Sequence, residues 1–443
     1  MVGLFLLIVA LCLYFCRKTV GSLLIFMSFC LDGFQVLTLS VLGGKSSDYA
    51  FIYVVVVTVY HAICTPGYFR RTVISRYINL FLLMLLCCSL FSYFHYGFSL
   101  YQIFQASREY YVILCYYFLV RLPLRQVSSI LKILSCLTLC VSIIYIAQVL
   151  VVHAPLLPYE NVDKIEVDET TGLIRLYNYP ILLYFFLFVS FLYPSFYKQK
   201  AKYVRGVCLM ALFCTLGRSG IASVVLLLII GLLLSGRLTI NLKTLCVICL
   251  FVLPFIGLVR DRFVSNGKTQ SDFAFLFSGD LADMNMGDFT KEGATLTYRF
   301  AWVYERYVYL RQQNNGELLW GLGLISGNQP KALKMYDFKL GLTNKDTGYP
   351  HQLGTPDIAW GNILSRFGMI GIVFYIIFWG IIIRKMWKSR KEDPIVLCGM
   401  LYVMAYVMTS VAGSSISYTT FMAFPFLILS LIGTTQKTKY GES

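Results

Sequence analysis

Asp357-Ile-Ala-Trp-Gly-Asn-Ile-Leu-Ser-Arg-Phe-Gly-Met-Ile-Gly371 decides how this chain is read. At Asp357 apolar sequence resumes after a largely polar segment, residues 260–356, and runs on through Gly368-x-x-Gly371. The polar segment itself begins at Arg260, where a long apolar run stops. Nearly everything outside it reads as membrane. The chain therefore divides into an apolar bundle over 1–259, a polar island over 260–356, and further apolar spans with a short tail over 357–443.

Composition supports that division. Hydrophobic residues make up 58% of the 443, and the mean hydropathy is +0.70. Charged residues contribute 14%, against about a quarter in soluble proteins. A polytopic membrane protein absorbs this much apolar surface; a string of soluble domains does not. The net charge of +16 raises the question of nucleic acid. Its placement answers it: residues 260–356 are nearly balanced and 153–178 are acidic, so the surplus lies in short links between apolar runs. That is the positive-inside pattern of cytoplasmic loops, and it points away from a nucleic-acid partner. The 14 cysteines sit in or beside apolar runs, as at Cys87-Cys88, Cys136 and Cys140. They show no disulfide framework and no paired metal spacing; Cys246-x-x-Cys249 is a lone pair inside an apolar run. No metal or cofactor is expected.

Runs near the ~20 residues that a crossing helix needs occur at 2–16, 19–42, 48–69, 73–96, 98–120, 128–152, 179–197, 204–217, 219–235 and 239–259. After the island they continue at 357–383, 394–412 and 415–433. The fold expected is all-α, a polytopic helix bundle of about 13 spans with one large external loop. The first run has no basic residue before it and Arg17-Lys18 after it, so it reads as an uncleaved helix with its N-terminus outside. Arg70-Arg71, Arg121, Arg125, Lys198 to Arg205, Arg237, Lys243 and Arg384 to Lys391 then fall on one side. Alternation places 153–178 and 260–356 on the other, external side.

Polar residues inside these runs are expected to be functional or paired, because an intramembrane charge costs at least ~2.5–3.5 kcal/mol. Asp32 lies in the second run and Arg108-Glu109 in the fifth. Neighbours in a helix point about 100° apart, so Arg108 and Glu109 should each face another helix. Arg108 either meets a lipid phosphate or forms an interhelical pair. Thr215-Leu-Gly-Arg218-Ser-Gly220 breaks two runs at the outer face. Glycine allows an irregular backbone and leaves Arg218 either to bind an anion or to snorkel at the interface. In the acidic loop 153–178, Arg175 of Arg175-Leu-Tyr-Asn-Tyr-Pro180 is the candidate of interest.

Within the island, residues 294–313 favour helix, with Arg299, Val303, Arg306 and Leu310 on one face. Tyr298 and Trp302 flank Arg299 as interfacial aromatics do. Asn314-Asn-Gly316 ends this helix, and Leu318-Leu-Trp-Gly321-Leu-Gly323 turns back toward the membrane. Asp357 follows Pro356 and could simply cap the next helix. His351 stands six residues upstream.

Three elements occur in order: Gly217-Arg218-Ser219-Gly220 between two helices, Arg299-x-x-Trp302 leading to Gly321-Leu-Gly323, and Asp357 ahead of Gly368-x-x-Gly371. In this the chain resembles the O-antigen ligase and O-antigen polymerase superfamily of bacterial integral-membrane glycosyltransferases, over roughly residues 200–385. The resemblance implies a glycosyltransferase C-like bundle in the inner membrane with its active site facing the periplasm. It implies a substrate linked to undecaprenyl pyrophosphate and catalysis without metal or nucleotide. By position, Arg218 and Arg299 would hold the donor pyrophosphate and Asp357 would be the general base, with His351 the alternative base. Arg306 and Arg175 would hold phosphate or glycan, and Tyr298 and Trp302 would stack on sugar. Ligases typically carry His-Asn where this chain has Asp357-Ile358, which favours the polymerase branch over a ligase to lipid A core. A polymerase would work beside membrane lipid and a chain-length regulator protein. A non-enzymatic flippase of lipid-linked glycans is the reading from another class; no internal repeat supports it.

Overall fold

The computed structural model describes residues 2–37, 45–69, 72–158, 166–167, 174–237, 295–313, 316–327, 329–340, 352–355 and 357–439. Among them the chain is mostly helical. The sheet they contain is a two-residue antiparallel ladder in which Glu166 opposes Arg175 and Val167 opposes Ile174. The run expected at 239–259, with Cys246 and Cys249, lies outside the described residues.

Four helices are long and apolar enough to cross a membrane: Ser46–Cys64, Val73–Phe94, Leu124–Val152 and Ala359–Ser389. At 1.5 Å per residue the shortest of them spans roughly 28 Å, close to the hydrocarbon thickness of a bilayer. Their outward faces are apolar; Ile63 is 79% exposed and Phe94 77%. Water penalises such a surface and hydrocarbon does not. Shorter apolar helices, among them Val2–Phe15, Thr19–Cys30, Leu183–Leu192, Arg218–Leu234 and Pro394–Thr409, fill in around the long ones. Helix starts follow local chemistry. Thr72 and Ser75 cap the Val73–Phe94 helix reciprocally, the Ser75 amide donating to Thr72 Oγ1 at 3.0 Å. Asp393 caps Pro394–Thr409 through the Ile395 amide at 2.8 Å.

Two expected spans are not single helices. The helix Thr19–Cys30 ends well before residue 42, and Asp32, Phe34 and Gln35 take left-handed φ values of 46°, 56° and 61°. Asp32 is accordingly exposed at a break rather than enclosed in mid-helix. The run 98–120 forms Leu100–Ser107, then a 3-10 segment Arg108–Cys115, then Tyr116–Leu119. Eight residues of 3-10 winding is unusual, and ion pairs to two other helices hold its start. Arg108 Nε lies 2.6 Å from Asp48 Oδ1, and Arg366 Nη1 lies 3.2 Å from Glu109 Oε1 and 2.8 Å from the Tyr110 hydroxyl. The two neighbours do face different helices. Arg108, being paired with Asp48, is part of the packing.

The helix Ala359–Ser389 is the centre of the molecule, packed by Val73–Phe94, Thr295–Gln312, Glu317–Trp320 and Pro394–Thr409. It is broken at Gly368, where φ is 62° and ψ −157°. The Gly321-Leu-Gly323 turn docks into this break. The Leu322 amide donates to Ser365 O at 2.7 Å, and a Cβ on Gly321 would lie 2.7 Å from Gly368 N. The Tyr96 and Tyr336 hydroxyls donate to the carbonyls of Gly321 and Leu322 at 3.1 and 2.6 Å. Two glycine motifs that are separate in sequence thus form one backbone-to-backbone contact that only glycine permits.

Candidate active site

The helix Thr295–Gln312 falls within a residue of the expected 294–313. Its position follows from Gly361: a Cβ there would meet Trp302 Cε3 at 2.8 Å and Val303 Cγ2 at 3.1 Å. Glycine lets the indole lie directly on the Ala359–Ser389 backbone. Arg299 is one turn from Trp302, and Asp357 stands four residues before Gly361, so this contact brings the arginine within electrostatic reach of the aspartate. Arg299 is half-buried. Its burial lowers its pKa, Asp357 raises it again, and Arg175 lowers it further; Tyr177 also faces it and acts with Asp357. A guanidinium remains protonated through shifts of this kind.

Asp357 does not cap the helix. Ile358 occupies the cap position, and the first helical amide, Ala359 N, donates to the Ser410 and Gly413 carbonyls at 3.0 Å each. The Asp357 carboxylate instead accepts from Thr355 Oγ1 at 3.2 Å, and the Asp357 amide donates to the same hydroxyl oxygen at 3.2 Å. Thr355 is itself clamped: its amide donates to Asn362 Oδ1 at 2.8 Å, and Asn362 Nδ2 donates to its carbonyl at 2.7 Å. The carboxylate is therefore aimed by a threonine and an asparagine, and left available beside Arg299.

Arg175 arrives from the other side. The Tyr145 hydroxyl donates to Leu176 O at 2.8 Å, and buried Gln148 donates to Asn178 Oδ1 at 2.9 Å. These bonds fix residues 175–178 to the end of the Leu124–Ala147 helix, where the chain passes into a π-helical turn, Gln148–Val152. The Arg175 guanidinium sits 4.8 Å over the Tyr177 ring. Arg175 and Tyr177 line a cavity of about 150 Å³ together with Gly217, Ser219, Gly220 and Ser410. Ser410 also accepts from Trp360 Nε1 at 2.8 Å, which ties the cavity wall to the segment carrying Asp357. Arg218 is the first residue of the helix Arg218–Leu234, between the lining residues Gly217 and Ser219. Leu216 takes φ 51° at the break before it.

Asp357 and Arg175, from two other stretches of the chain, thus lie within electrostatic reach of Arg299, and Arg175 lines the cavity beside the turn that carries Arg218. Arg175 on the cavity wall, together with Arg299 and Asp357 in electrostatic reach of one another outside it, can hold a phosphate-type anion and take a proton from a neighbouring hydroxyl. Two expectations are corrected. Arg306 does not face outward to phosphate or glycan. Its side chain is 0% exposed, lies over the rings of Trp302 and Phe338 at 3.8 and 4.5 Å, and donates to Leu340 O at 2.6 Å and Gln352 O at 3.3 Å. Trp302 is 1% exposed, wedged between Arg306 and Gly361, and offers no face to a sugar. Tyr298 lies in the first turn of its helix, and His351 lies outside the described residues. Residue-type reasoning missed Tyr177, Thr355, Asn362 and Ser410. For Thr355 a signal existed: a hydroxyl residue two before an aspartate is a local turn pattern. Asn362, Ser410 and Tyr177 gave none, since their partners come from elsewhere in the fold. No protein-family model matches this chain, and no curated protein matches it.

Proposed function

We propose that this chain is a polymerase of bacterial surface polysaccharide, O-antigen or capsule, which moves a glycan from undecaprenyl pyrophosphate to a sugar hydroxyl of another lipid-linked repeat unit. The observation that carries this reading is that Asp357 and Arg175 both act electrostatically on Arg299, while Arg175 shares a cavity wall with the Gly217–Gly220 turn. In this reaction Asp357 accepts the proton of the acceptor hydroxyl, whose oxygen attacks the anomeric carbon of the donor. The bond from that carbon to the pyrophosphate oxygen breaks, and the lipid pyrophosphate leaves carrying the added negative charge. Arg299 and Arg218 stabilise that charge as it builds, which is where fixed cations lower a barrier most. Arg175, through its place on the cavity wall, neutralises the remaining phosphate oxygens. The protein works in the inner membrane as a bundle of glycosyltransferase C-like architecture, its site turned to the periplasm. Lipid-linked oligosaccharide, membrane lipid and a chain-length regulator are its partners.

The test is the glycan ladder in a deletion strain complemented with variants. Arg218→Ala, Arg299→Ala and Asp357→Ala should each remove long chains and leave single repeat units on lipid A core, with the protein still present in the membrane. Polymer stranded on undecaprenyl pyrophosphate would indicate a ligase instead. Repeat units trapped on the cytoplasmic face would indicate a flippase. Full-length polymer from all three variants would remove the catalytic assignment.

A further inference from the structure

The cavity beside Arg175 has a wall whose chemistry is more specific than the charge cluster at its edge. Its volume of about 150 Å³ is that of a cavity able to take one six-membered ring. Tyr177, Tyr184 and Tyr406 contribute aromatic faces, and Thr215, Thr409 and Ser410 contribute hydroxyls. Several of these hydroxyls have committed their hydrogens. Thr215 Oγ1 donates to Leu212 O at 2.7 Å, Thr409 Oγ1 to Ala405 O at 2.9 Å, and the Tyr406 hydroxyl to Ile181 O at 2.9 Å. What remains for a ligand is lone pairs. A guest of this cavity should therefore be ring-sized, carry several O–H donors, and present C–H faces to aromatic rings. Among the described lining residues the charged side chain is Arg175 and no carboxylate is present. An ammonium group brought here would face the Arg175 guanidinium, which is far costlier than burying a hydroxyl that finds an acceptor.

We propose that this cavity is a subsite for one uncharged sugar ring and that it discriminates against sugars bearing an ammonium group. That the ring belongs to the lipid-linked glycan rests on the polymerase reading; that the cavity binds it does not. The ring lies against the Arg175 wall of the cavity, so the subsite would set which repeat units are polymerised.

The experiment uses the full chain in detergent micelles and saturation-transfer NMR with free galactose, N-acetylglucosamine, galactosamine and glucosamine. The neutral sugars should show saturation transfer, and the amino sugars should bind at least ~10-fold more weakly, as expected for a buried ammonium set against the Arg175 guanidinium. Gly413→Leu should abolish the signal. A Cβ at Gly413, a lining residue, meets only Thr409 O at 3.7 Å, so a larger side chain can grow into the cavity. If Gly413→Leu loses its cooperative unfolding transition, Thr409→Leu fills the cavity from the neighbouring helix and carries the test. The proposal is overturned if neither neutral sugar binds, if amino sugars bind equally well, or if the folded filled variant keeps the signal. The glycan ladder separates this from the polymerase reading. Neutral-sugar selectivity retained while the ladder of the deletion strain shows polymer stranded on undecaprenyl pyrophosphate, or repeat units trapped on the cytoplasmic face, would sink the polymerase reading and leave the subsite standing.

Discussion

Arg299 and Arg306 lie seven residues apart on one face of one helix, and the fold uses them in opposite ways. Arg299 is half-buried beside Asp357, Arg175 and Tyr177. Arg306 is fully enclosed between Trp302 and Phe338, with Glu305 Oε2 2.6 Å from its Nη1. Glu305 and Arg306 together gather the chain that follows: Glu305 accepts from the Lys339 and Leu340 amides at 2.7 and 3.2 Å, while Arg306 donates to the Leu340 and Gln352 carbonyls. Gln352 in turn accepts from the Phe338 amide at 2.9 Å. One end of the helix thus holds part of the polar segment 260–356 together, and the other end carries the half-buried Arg299. Helical periodicity assigns a face; it does not say what lies opposite.

The sharpest way to break this comparison is to remove each arginine in turn. Arg306→Ala should cost ~3–5 kcal/mol, because it removes the cation beside the mostly enclosed Glu305 carboxylate and a donor from the carbonyls of Trp302, Leu340 and Gln352. Detergent-solubilised protein should show a much lower unfolding temperature or little recoverable fold. Arg306→Lys should rescue poorly, since an ammonium neither stacks flat between two rings nor forks to two carbonyls. Arg299→Ala should leave unfolding nearly unchanged and lower the rate of polymer formation by roughly 10²–10³-fold, the range for losing one donor to a developing charge. Equal losses of stability from both variants would mean that the half-buried arginine is also a packing residue.

Much of the fold was legible because composition and hydropathy leave few choices. The four long spans, the helix over 294–313, the break at Gly217 and the outward pairing of Arg108 and Glu109 all follow from local rules. The break after Cys30 and the 3-10 segment Arg108–Cys115 did not, because apolar runs look alike whether or not their backbone stays helical. Residue type and the family resemblance single out Arg299, Asp357 and Arg175, and the fold sets the last two in the electrostatic surroundings of the first. The burial of Arg306 and Trp302 could not be read that way, since it depends on Phe338, Leu340, Gln352 and Gly361, which come from other segments.

A smaller loss is expected where the Gly321 turn meets the Gly368 break, which supports the comparison from behind. Gly368 holds φ 62° and ψ −157°, and a Cβ there would run into the Leu319 carbonyl. Gly368→Ala should therefore destabilise the protein by ~1–3 kcal/mol, the cost of such a conformation in a residue with a side chain. Gly380 lies in the same helix with nothing near its Cβ position, and Gly380→Ala should be neutral or slightly stabilising by thermal unfolding. If the two substitutions behaved alike, the docking of the turn into the break would not be what fixes this part of the helix.

The smallest effect expected is the one that most sharpens the contrast, because it touches only aim. Thr355 makes two 3.2 Å bonds with Asp357, accepting from its amide and donating to its carboxylate. Thr355→Val keeps shape and volume and removes both. The loss is that of an ordinary hydrogen bond, ~0.5–1.5 kcal/mol, and if Asp357 is a base it should appear in kcat, roughly a 3- to 10-fold fall, with KM unchanged. Thr355→Ser should restore the rate, because the oxygen alone does the aiming. A structural role would give another pattern: a lower unfolding temperature, restored by serine, with kcat per folded molecule unchanged throughout. That pattern would place Asp357 with Arg306 among the residues that hold the island, and leave Arg299 and Arg175 as an anion site without a base.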